Sequence, residues 1–222
     1  MFSKPREITR HGVTWQVVEP HVGGYEFWND WERANWEQDT LDIVDRFVTP
    51  NSTFVDVGAW IGPVTLWADR IAARVIAIEP DPLALKHLQQ NVAANATGTT
   101  IVAGAISHRT GTCHIAAHED GWGSSMTHLA NEGTEVPCWT LPDLFDTYSL
   151  ENVSLVKMDI EGGESIVLEH AAPFLAEKKI PLLVAMHEPW WSRPVERSWF
   201  DGFRNVEGEC SGWHSVLAEP WT

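Results

Sequence analysis

Short apolar runs alternate with amphipathic segments along most of the chain. Apolar runs predict strands over residues 53–58, 74–79, 100–105, 111–117, 153–160 and 181–187. Helical spacing of apolar residues predicts helices over residues 61–73, 82–94 and 164–177. Strands that alternate with helices of this length form right-handed βαβ crossovers. The pattern therefore predicts an α/β protein with a Rossmann-like, doubly wound and mostly parallel sheet that carries helices on both faces.

The first fifty residues precede this alternation. Between residues 37 and 48, Leu41, Val44 and Val48 share one face, which predicts a helix at the edge of the sheet. A chain of 222 residues is long enough to build one core unaided. We therefore expect a single compact domain, with an N-terminal helical cap or edge segment at residues 1–50 and a Rossmann-like domain at residues 51–222.

Composition narrows the classes of partner. The net charge of −16 opposes binding to a phosphate backbone, which requires cationic side chains. The chain contains no apolar run of membrane-spanning length, and no apolar stretch follows the basic residues at its N-terminus. We therefore expect a cytoplasmic protein that binds neither nucleic acid nor a membrane. The three cysteines are far apart in sequence and are expected to be packing residues.

Tryptophan is unusually frequent, with 13 residues in the chain. Three of them, Trp28, Trp31 and Trp36, lie near the start, and Trp190, Trp191 and Trp199 lie near the end. Packing is one explanation for these clusters. The other is an aromatic acceptor pocket or the interface of a homo-oligomer.

The first motif that carries chemistry is the turn after the strand at 53–58. Gly58 and Gly62 form GxxxG rather than the GxGxxG of dinucleotide-binding folds. Asp56 would repel a diphosphate there, but it suits a cationic ligand such as S-adenosylmethionine, which has ammonium and sulfonium centres. Glu79 ends the next strand 21 residues after Gly58, where an acidic side chain accepts hydrogen bonds from ribose hydroxyls.

A second group of polar residues follows the strand at 153–160. Asp159 and Glu161 alternate along the predicted strand end and should therefore point to opposite faces. They are candidates for positioning an acceptor, for general-base catalysis or for holding a divalent metal ion, whereas Glu164 is a candidate helix cap. His187, at the end of the next strand, is a candidate proton acceptor.

The ordered blocks FVDVGAWIGPVTLWA, IAIEPDP, VAGAIS, GWGSSM, VPCWTLPDLF, VKMDIEGGE and MHEP resemble the FkbM-type methyltransferases of the class I S-adenosylmethionine-dependent enzymes. The resemblance runs from about Trp36 to Glu188. It implies a sheet of seven strands and O-methylation of a hydroxyl on a sugar or polyketide-like acceptor. The residues that it implies near the cofactor are Glu37, Asp56, Gly58, Gly62, Glu79, Gly104, Ala105, Ser124, Ser125 and Asp159.

The resemblance also assigns parts of the cofactor to these residues. Asp56, Gly58 and Gly62 match the turn on the methionine side, Glu79 matches the ribose ligand, and Gly104 and Ala105 follow the strand beside the adenine. Two features depart from the family. Trp60 stands where the family usually has asparagine, which predicts an altered turn or pocket. The stretch after the last predicted strand is short, so the usual terminal hairpin is not predicted.

The expected reaction is transfer of the methyl group to a small polar metabolite. We expect Asp159 to be the acceptor-positioning base, with His187 next and Glu161 beside them. If a metal ion takes part, Asp159, Glu161 and His187 are its expected ligands. N-methylation of an amine, a nicotinamide-dependent oxidoreductase and a non-catalytic binding module remain alternatives.

Overall fold

The computed structural model describes residues 4–19, 27–33, 36–117, 119, 121–187, 194–210 and 213–221; within these, only the backbone of residues 205–210 and 213–214 is described. The strands are β1 Arg6–Arg10, β2 Val13–Val17, β3 Thr53–Val57, β4 Arg74–Glu79, β5 Thr100–Ala103, β6 Ala105–Ile106, β7 Gly111–Ala116, β8 His128–Ala130, β9 Thr134–Trp139, β10 Val153–Met158, β11 Leu182–Ala185, β12 Phe203–Cys210 and β13 Trp213–Pro220. The helices are α1 Phe27–Glu32, α2 Gln38–Phe47, α3 Pro63–Asp69, α4 Pro82–Ala94, α5 Leu141–Thr147 and α6 Glu164–Glu177, with a short 3-10 helix at Arg197–Phe200.

The main sheet has seven strands in the order β12-β13-β11-β10-β3-β4-β5. β3, β4, β5, β10 and β11 pair in parallel, and β13 runs antiparallel to its neighbours β11 and β12. The strand order reverses between β3 and β10, where such sheets bind their ligands. The Rossmann-like prediction is confirmed.

Local sequence explains the helices on either side of β4. Pro63 and Pro82 occupy first-turn positions of α3 and α4, where a proline loses no hydrogen bond. Asp81 caps α4, because one of its carboxylate oxygens accepts hydrogen bonds from the backbone N–H groups of Leu83 and Ala84. α3 is shorter than predicted and ends at Asp69.

The N-terminal segment is only partly helical. β1 and β2 form an antiparallel hairpin, which the expectation of a helical segment at residues 1–50 missed. Side chains along the hairpin alternate between its two faces, and Ile8 and Trp15 are buried on the same face. α2 matches the helix predicted over residues 37–48. Within α1, Trp28 and Trp31 are fully buried, so these two tryptophans are packing residues.

A second sheet is inserted between β5 and β10. Its four strands lie in the order β6-β9-β7-β8, and it follows directly from Gly104. The run at 100–105 was predicted as one strand, but the chain leaves the main sheet at Gly104, where a Cβ would meet the carbonyl oxygen of Pro137. Free Cys113 and Cys138 lie in this sheet.

The chain ends in the hairpin of β12 and β13 at the edge of the main sheet. The short length after β11 had left this hairpin unpredicted, and the structure corrects that expectation. Trp190 and Trp191, which the sequence made candidates for an interface, lie outside the described residues, as does Glu188. None of the described helices has the length and apolar character needed to cross a membrane.

Candidate functional site

A cavity of about 530 Å³ opens at the carboxyl ends of β3, β4, β10 and β11. Its volume is typical of small-molecule sites. Ten of the twelve residues predicted for the site line it: Glu37, Gly58, Glu79, Gly104, Ala105, Ser124, Ser125, Asp159, Glu161 and His187. Asp56 and Gly62 do not line it. The fold therefore brings together most of the residues that the sequence patterns and the family resemblance singled out.

Glu79 is held in place by the backbone of two turns. Its Oε2 accepts a 2.7 Å hydrogen bond from the Trp60 N–H, and its Oε1 accepts a 2.8 Å bond from the Asp81 N–H. The side chain is 5% exposed, and burial raises its pKa to about 8 although these hydrogen bonds favour the carboxylate. Each oxygen keeps a lone pair for a ligand in the cavity, so the arrangement is suited to hydroxyl donors.

Trp60 lies in the turn between β3 and α3, at the position where the resemblance predicts asparagine. Its backbone adopts a left-handed conformation with φ of 51°, which asparagine tolerates better than tryptophan. The indole Nε1 donates a 2.8 Å hydrogen bond to the carbonyl of Gly123, and the ring packs edge-on against Phe27 at 4.7 Å between centroids. The ring of Trp60 thus forms part of the cavity wall, while its backbone N–H donates to Glu79.

Asp81 supports the cavity wall without lining it, and the sequence analysis did not single it out. Its Oδ2 accepts hydrogen bonds from the Gly123 N–H at 2.8 Å and from the Thr127 hydroxyl at 2.5 Å. It is fully buried, so it connects the N-terminus of α4 to the loop that contains Ser124 and Ser125. The signal available in the sequence was an aspartate directly before the proline of a predicted helix.

The two predicted residues that do not line the cavity have supporting positions. Asp56 is fully buried and accepts a 2.7 Å hydrogen bond from the Thr65 hydroxyl. Gly62 precedes α3 with φ of 95°, and a Cβ there would come within 2.8 Å of Leu88. Asp56 and Gly62 therefore shape the turn around Gly58, whereas the cavity surface itself is formed by Gly58 and Trp60.

Lys157 is a buried cation that the sequence analysis did not single out. It pairs in register with Asp56 on the adjacent strand, which places its Nζ 3.5 Å from Asp56 Oδ1 and 3.4 Å from Asp159 Oδ2. The Nζ also donates to the carbonyl of Gly58 at 3.2 Å. Burial disfavours the ammonium, but the surrounding carboxylates outweigh it and raise the pKa of Lys157.

Glu37 faces the same group of charges from the N-terminus of α2. Burial, and then the charge of Asp159, raises the pKa of Glu37 to about 7. Its backbone has φ of 40°, in the left-handed region. Glu37 therefore joins Asp159 and Asp56 around Lys157, and the carboxylates outnumber the ammonium at this end of the cavity.

Asp159, Glu161 and His187 meet at one point of the cavity wall. His187 Nε2 lies 3.6 Å from Asp159 Oδ1 and 3.4 Å from Glu161 Oε2. The prediction that the two acidic residues face opposite ways is wrong: residues two apart along a strand project from the same face, and both residues lie beyond the end of β10 at Met158. Glu161 adopts φ of 51° and Gly162 φ of 94°, and this turn brings Glu161 to the side of Asp159.

Glu164 fixes the orientation of His187 from behind. The carboxylate is fully buried at the first residue of α6 and lies 3.0 Å from His187 Nδ1. It also accepts hydrogen bonds from the backbone N–H groups of Ile160 and Gly162. Burial disfavours the imidazolium, but Glu164 and the charges of Asp159 and Glu161 raise the pKa of His187 to about 9. His187 is therefore an imidazolium at neutral pH when only protein groups surround it.

Part of the cavity wall is aromatic. Phe27, Trp36 and Trp60 line it, and Phe27 packs edge-on against both tryptophans. Trp36 is thus the member of the N-terminal tryptophan cluster that reaches the cavity. A ligand in this cavity meets both aromatic side chains and carboxylates.

Comparison with protein families gives a direct result. Residues 56–207 match the model of the methyltransferase FkbM domain, which is more than half of the chain. The chain belongs to the FkbM methyltransferase family. No curated protein matches its sequence.

Solved structures of the same fold are distant in sequence. An FkbM methyltransferase from Methylobacillus flagellatus is 17% identical with a TM-score of 0.50, over 81% of this chain and 50% of that protein. The 16S rRNA N2 G1207 methyltransferase of T. thermophilus, in complex with AdoMet and guanosine, is 15% identical with a TM-score of 0.51, over 99% and 51% of the two chains. A putative methyltransferase from Escherichia coli is 13% identical with a TM-score of 0.53, over 99% and 100%. The chain therefore spans half the length of its FkbM structural relative, and these likenesses describe the fold.

Proposed function

We propose that this protein transfers the methyl group of S-adenosylmethionine to a hydroxyl of a small polar metabolite. The observation that carries the proposal is Glu79, a buried carboxylate fixed by two backbone N–H groups at the edge of a 530 Å³ cavity. Membership of the FkbM family supports the same reaction class.

The residues around the cavity fit this cofactor. Glu79 is placed to accept hydrogen bonds from the ribose hydroxyls, and Gly104 and Ala105 lie beside it where the adenine belongs. Gly58 offers close backbone approach to the methionine portion. Glu37 and Asp159 supply carboxylates for an ammonium group and a sulfonium, and no cluster of cationic side chains for a diphosphate lines the cavity among the described residues.

The protein's main task in this reaction is positioning. When bound, S-adenosylmethionine supplies a methyl carbon that is already activated by its sulfonium. The acceptor oxygen forms a bond to that carbon while the bond from carbon to sulfur breaks, and the hydroxyl proton passes to a base. We assign the base to Asp159, whose Oδ1 is buried and accepts no hydrogen bond among the described residues. His187 and Glu161 orient the acceptor beside it.

A small acceptor is favoured by the charge and shape of the site. The cavity walls carry more carboxylates than cations, and the chain has a net charge of −16, which opposes a nucleic-acid phosphate backbone. The aromatic wall of Phe27, Trp36 and Trp60 suits the apolar face of a sugar ring or a polyketide-like skeleton. Relatives in fold that act on rRNA make RNA a necessary negative control.

The test has two steps. Isothermal titration calorimetry with S-adenosylhomocysteine should give one site with micromolar affinity, whereas NAD⁺ should give no heat. Hydroxylated sugars and polyketides, matched amines and a structured RNA are then compared as acceptors by the S-adenosylhomocysteine that they yield. Binding of NAD⁺ in place of the thioether contradicts the proposal, and turnover with the amines or the RNA alone contradicts the acceptor class.

A further inference from the structure

The cavity contains a group of side chains that are arranged as ligands around one point. Ligand atoms from Asp159, Glu161 and His187 all lie within 4.8 Å of one another. Two of the three separations, 3.6 Å from His187 Nε2 to Asp159 Oδ1 and 3.4 Å from His187 Nε2 to Glu161 Oε2, exceed the ~2.8 Å of a charge-assisted hydrogen bond. Ligand atoms that each lie about 2.1 Å from one ion are about 3.0–3.4 Å apart, close to these values.

The histidine is oriented as metal-bound histidines usually are. Its Nδ1 lies 3.0 Å from the buried carboxylate of Glu164, which leaves Nε2 directed at Asp159 and Glu161. An imidazole that donates its other N–H to a carboxylate is the usual partner arrangement behind a metal ligand. Glu164 is itself fixed by the backbone N–H groups of Ile160 and Gly162, so the histidine is held before any ion binds.

A second observation comes from unsatisfied polar atoms. Asp159 Oδ1 is buried and has no hydrogen-bond partner among the described residues, although Oδ2 of the same carboxylate lies 3.4 Å from Lys157 Nζ. A buried carboxylate oxygen without a partner is costly, because it has lost its water. A cation between Asp159 and Glu161 would provide the missing partner.

We infer that Asp159, Glu161 and His187 bind one divalent metal ion in the cavity. Two carboxylates and one imidazole are ligands that Mn²⁺ accepts well, and Mg²⁺ and Zn²⁺ use the same types of atom. The site lies at the ends of β10 and β11, across the cavity from Glu79. The role of the ion rests on the proposed function: it holds the acceptor oxygen and makes its hydroxyl more acidic. With the ion bound, Asp159 is a ligand rather than the base, and the hydroxyl proton passes to water.

The site is tested by Mn²⁺ titration of the full chain at pH 7.5, in which the electron paramagnetic resonance signal of free Mn²⁺ reports the unbound ion. One ion should bind per chain. Asp159→Asn, Glu161→Gln and His187→Gln should each weaken binding at least 10-fold, and Glu164→Gln should weaken it by about 10-fold to 100-fold through the histidine. Asp146→Asn, Glu177→Gln and His170→Gln alter exposed residues outside the cavity, and Mn²⁺ binding by these variants should be the same as that of the wild-type protein.

Each outcome decides the inference separately from the proposed function. The circular dichroism spectrum of every variant shows whether it is folded, and S-adenosylhomocysteine binding is a second check for Glu161→Gln, His187→Gln and Glu164→Gln. If the wild-type protein binds the thioether but none of Mn²⁺, Mg²⁺ and Zn²⁺ at 1 mM, by calorimetry, there is no metal site and the methyltransferase proposal stands. Mn²⁺ binding that folded Glu161→Gln and His187→Gln leave unchanged places the ion elsewhere and also overturns the inference. Mn²⁺ binding without thioether binding contradicts the proposed function alone.

Discussion

The carboxylates at the two ends of the cavity have different partners. At the first end, the backbone N–H groups of Trp60 and Asp81 satisfy Glu79, which faces the cavity as a single fixed acceptor. At the second end, Glu37, Asp159 and Glu161 converge, and the cations beside them are Lys157 and His187. The first end suits neutral hydroxyls, and the second has room in its charge balance for a cation. We call them the ribose end and the acidic end.

The largest effect should come from removing the cation that the acidic end shares with the turn. Lys157→Met leaves the buried carboxylate of Asp56 and the partly buried carboxylate of Asp159 without their ammonium partner. We expect a loss of about 3–5 kcal/mol in the free energy of unfolding, measured by urea denaturation. Lys178→Met, on an exposed residue, should cost less than about 1 kcal/mol. Equal losses for the two variants would mean that the acidic end does not depend on this ion pair.

Gly58 lies where the two ends meet, and it accepts no side chain. Its φ is 78°, and a Cβ would overlap the carbonyl oxygen of Asp159. Gly58→Ala should therefore cost about 3 kcal/mol or more in the free energy of unfolding. Gly12→Ala is a matched control, because Gly12 has φ of 80° and open space around its Cβ position, and it should cost about 1 kcal/mol. Similar costs at the two glycines would show that conformational strain alone is measured.

The acidic end should also make stability depend on pH. The pKa of His187 is raised from 6.5 to about 9, so its contribution is complete below pH 6.5 and is lost as the pH rises through 9. Glu161, with its pKa raised to about 8, holds its proton longer than the unfolded chain does, so stability again falls as the pH rises. In EDTA, the free energy of unfolding should therefore fall between pH 5 and 9.

Glu161→Gln separates this effect from the rest of the molecule. The variant removes one titrating group and one of the charges that raise the pKa of His187. Between pH 5 and 9, the free energy of unfolding of Glu161→Gln should fall by about 2 kcal/mol less than that of the wild-type protein. One pKa unit corresponds to about 1.4 kcal/mol, and solvent screening reduces the full effect of the shift. Urea denaturation at a series of pH values measures this, with Glu177→Gln as control. Parallel curves for the two variants and the wild type would contradict the assignment.

The smallest effect concerns the loop that covers the ribose end. Trp60→Phe keeps an aromatic ring beside Phe27 but removes the indole N–H that bonds to the carbonyl of Gly123. We expect a loss of about 1 kcal/mol in the free energy of unfolding. Amide hydrogen exchange should become faster at residues 121–127 and stay unchanged in β7. Unchanged exchange in the loop would show that this hydrogen bond does not hold it.

The sequence predicted the ribose end better than the acidic end. Glu79 ends a strand whose residues are nearly all buried and precedes a helix with a clear cap, so local patterns determine its position. The meeting of Glu161 with Asp159 depends on a left-handed residue just beyond the strand, which alternation cannot indicate. The hairpin β1-β2 and the second sheet were hidden for a related reason, since their strands are short and their partners are set by tertiary contacts.

The role of Lys157 could not be predicted from the sequence because it depends on the register between β10 and β3. A lysine within an apolar run reads as an interruption of a strand, and only the pairing of Lys157 with Asp56 across β10 and β3 makes it part of an ion pair. The likeness to solved methyltransferases, at 13–17% identity, shows the fold and leaves this pairing to be read from the structure. Local sequence patterns therefore predict where the strands end, whereas the positions of the charged side chains depend on pairing between strands that are distant in sequence.

The central claim is that Glu79 holds the ribose of the cofactor. The most direct test is a double-mutant cycle by calorimetry, with S-adenosylhomocysteine and its 2′-deoxy analogue titrated into the wild-type protein, Glu79→Ala and the exposed control Glu135→Ala. We predict that Glu79→Ala weakens thioether binding by about 1–3 kcal/mol, that the analogue loses affinity for the wild type and for Glu135→Ala, and that Glu79→Ala binds both ligands about equally. If folded Glu79→Ala binds the thioether as tightly as the wild type does, or discriminates the analogue to the same degree, the claim is wrong.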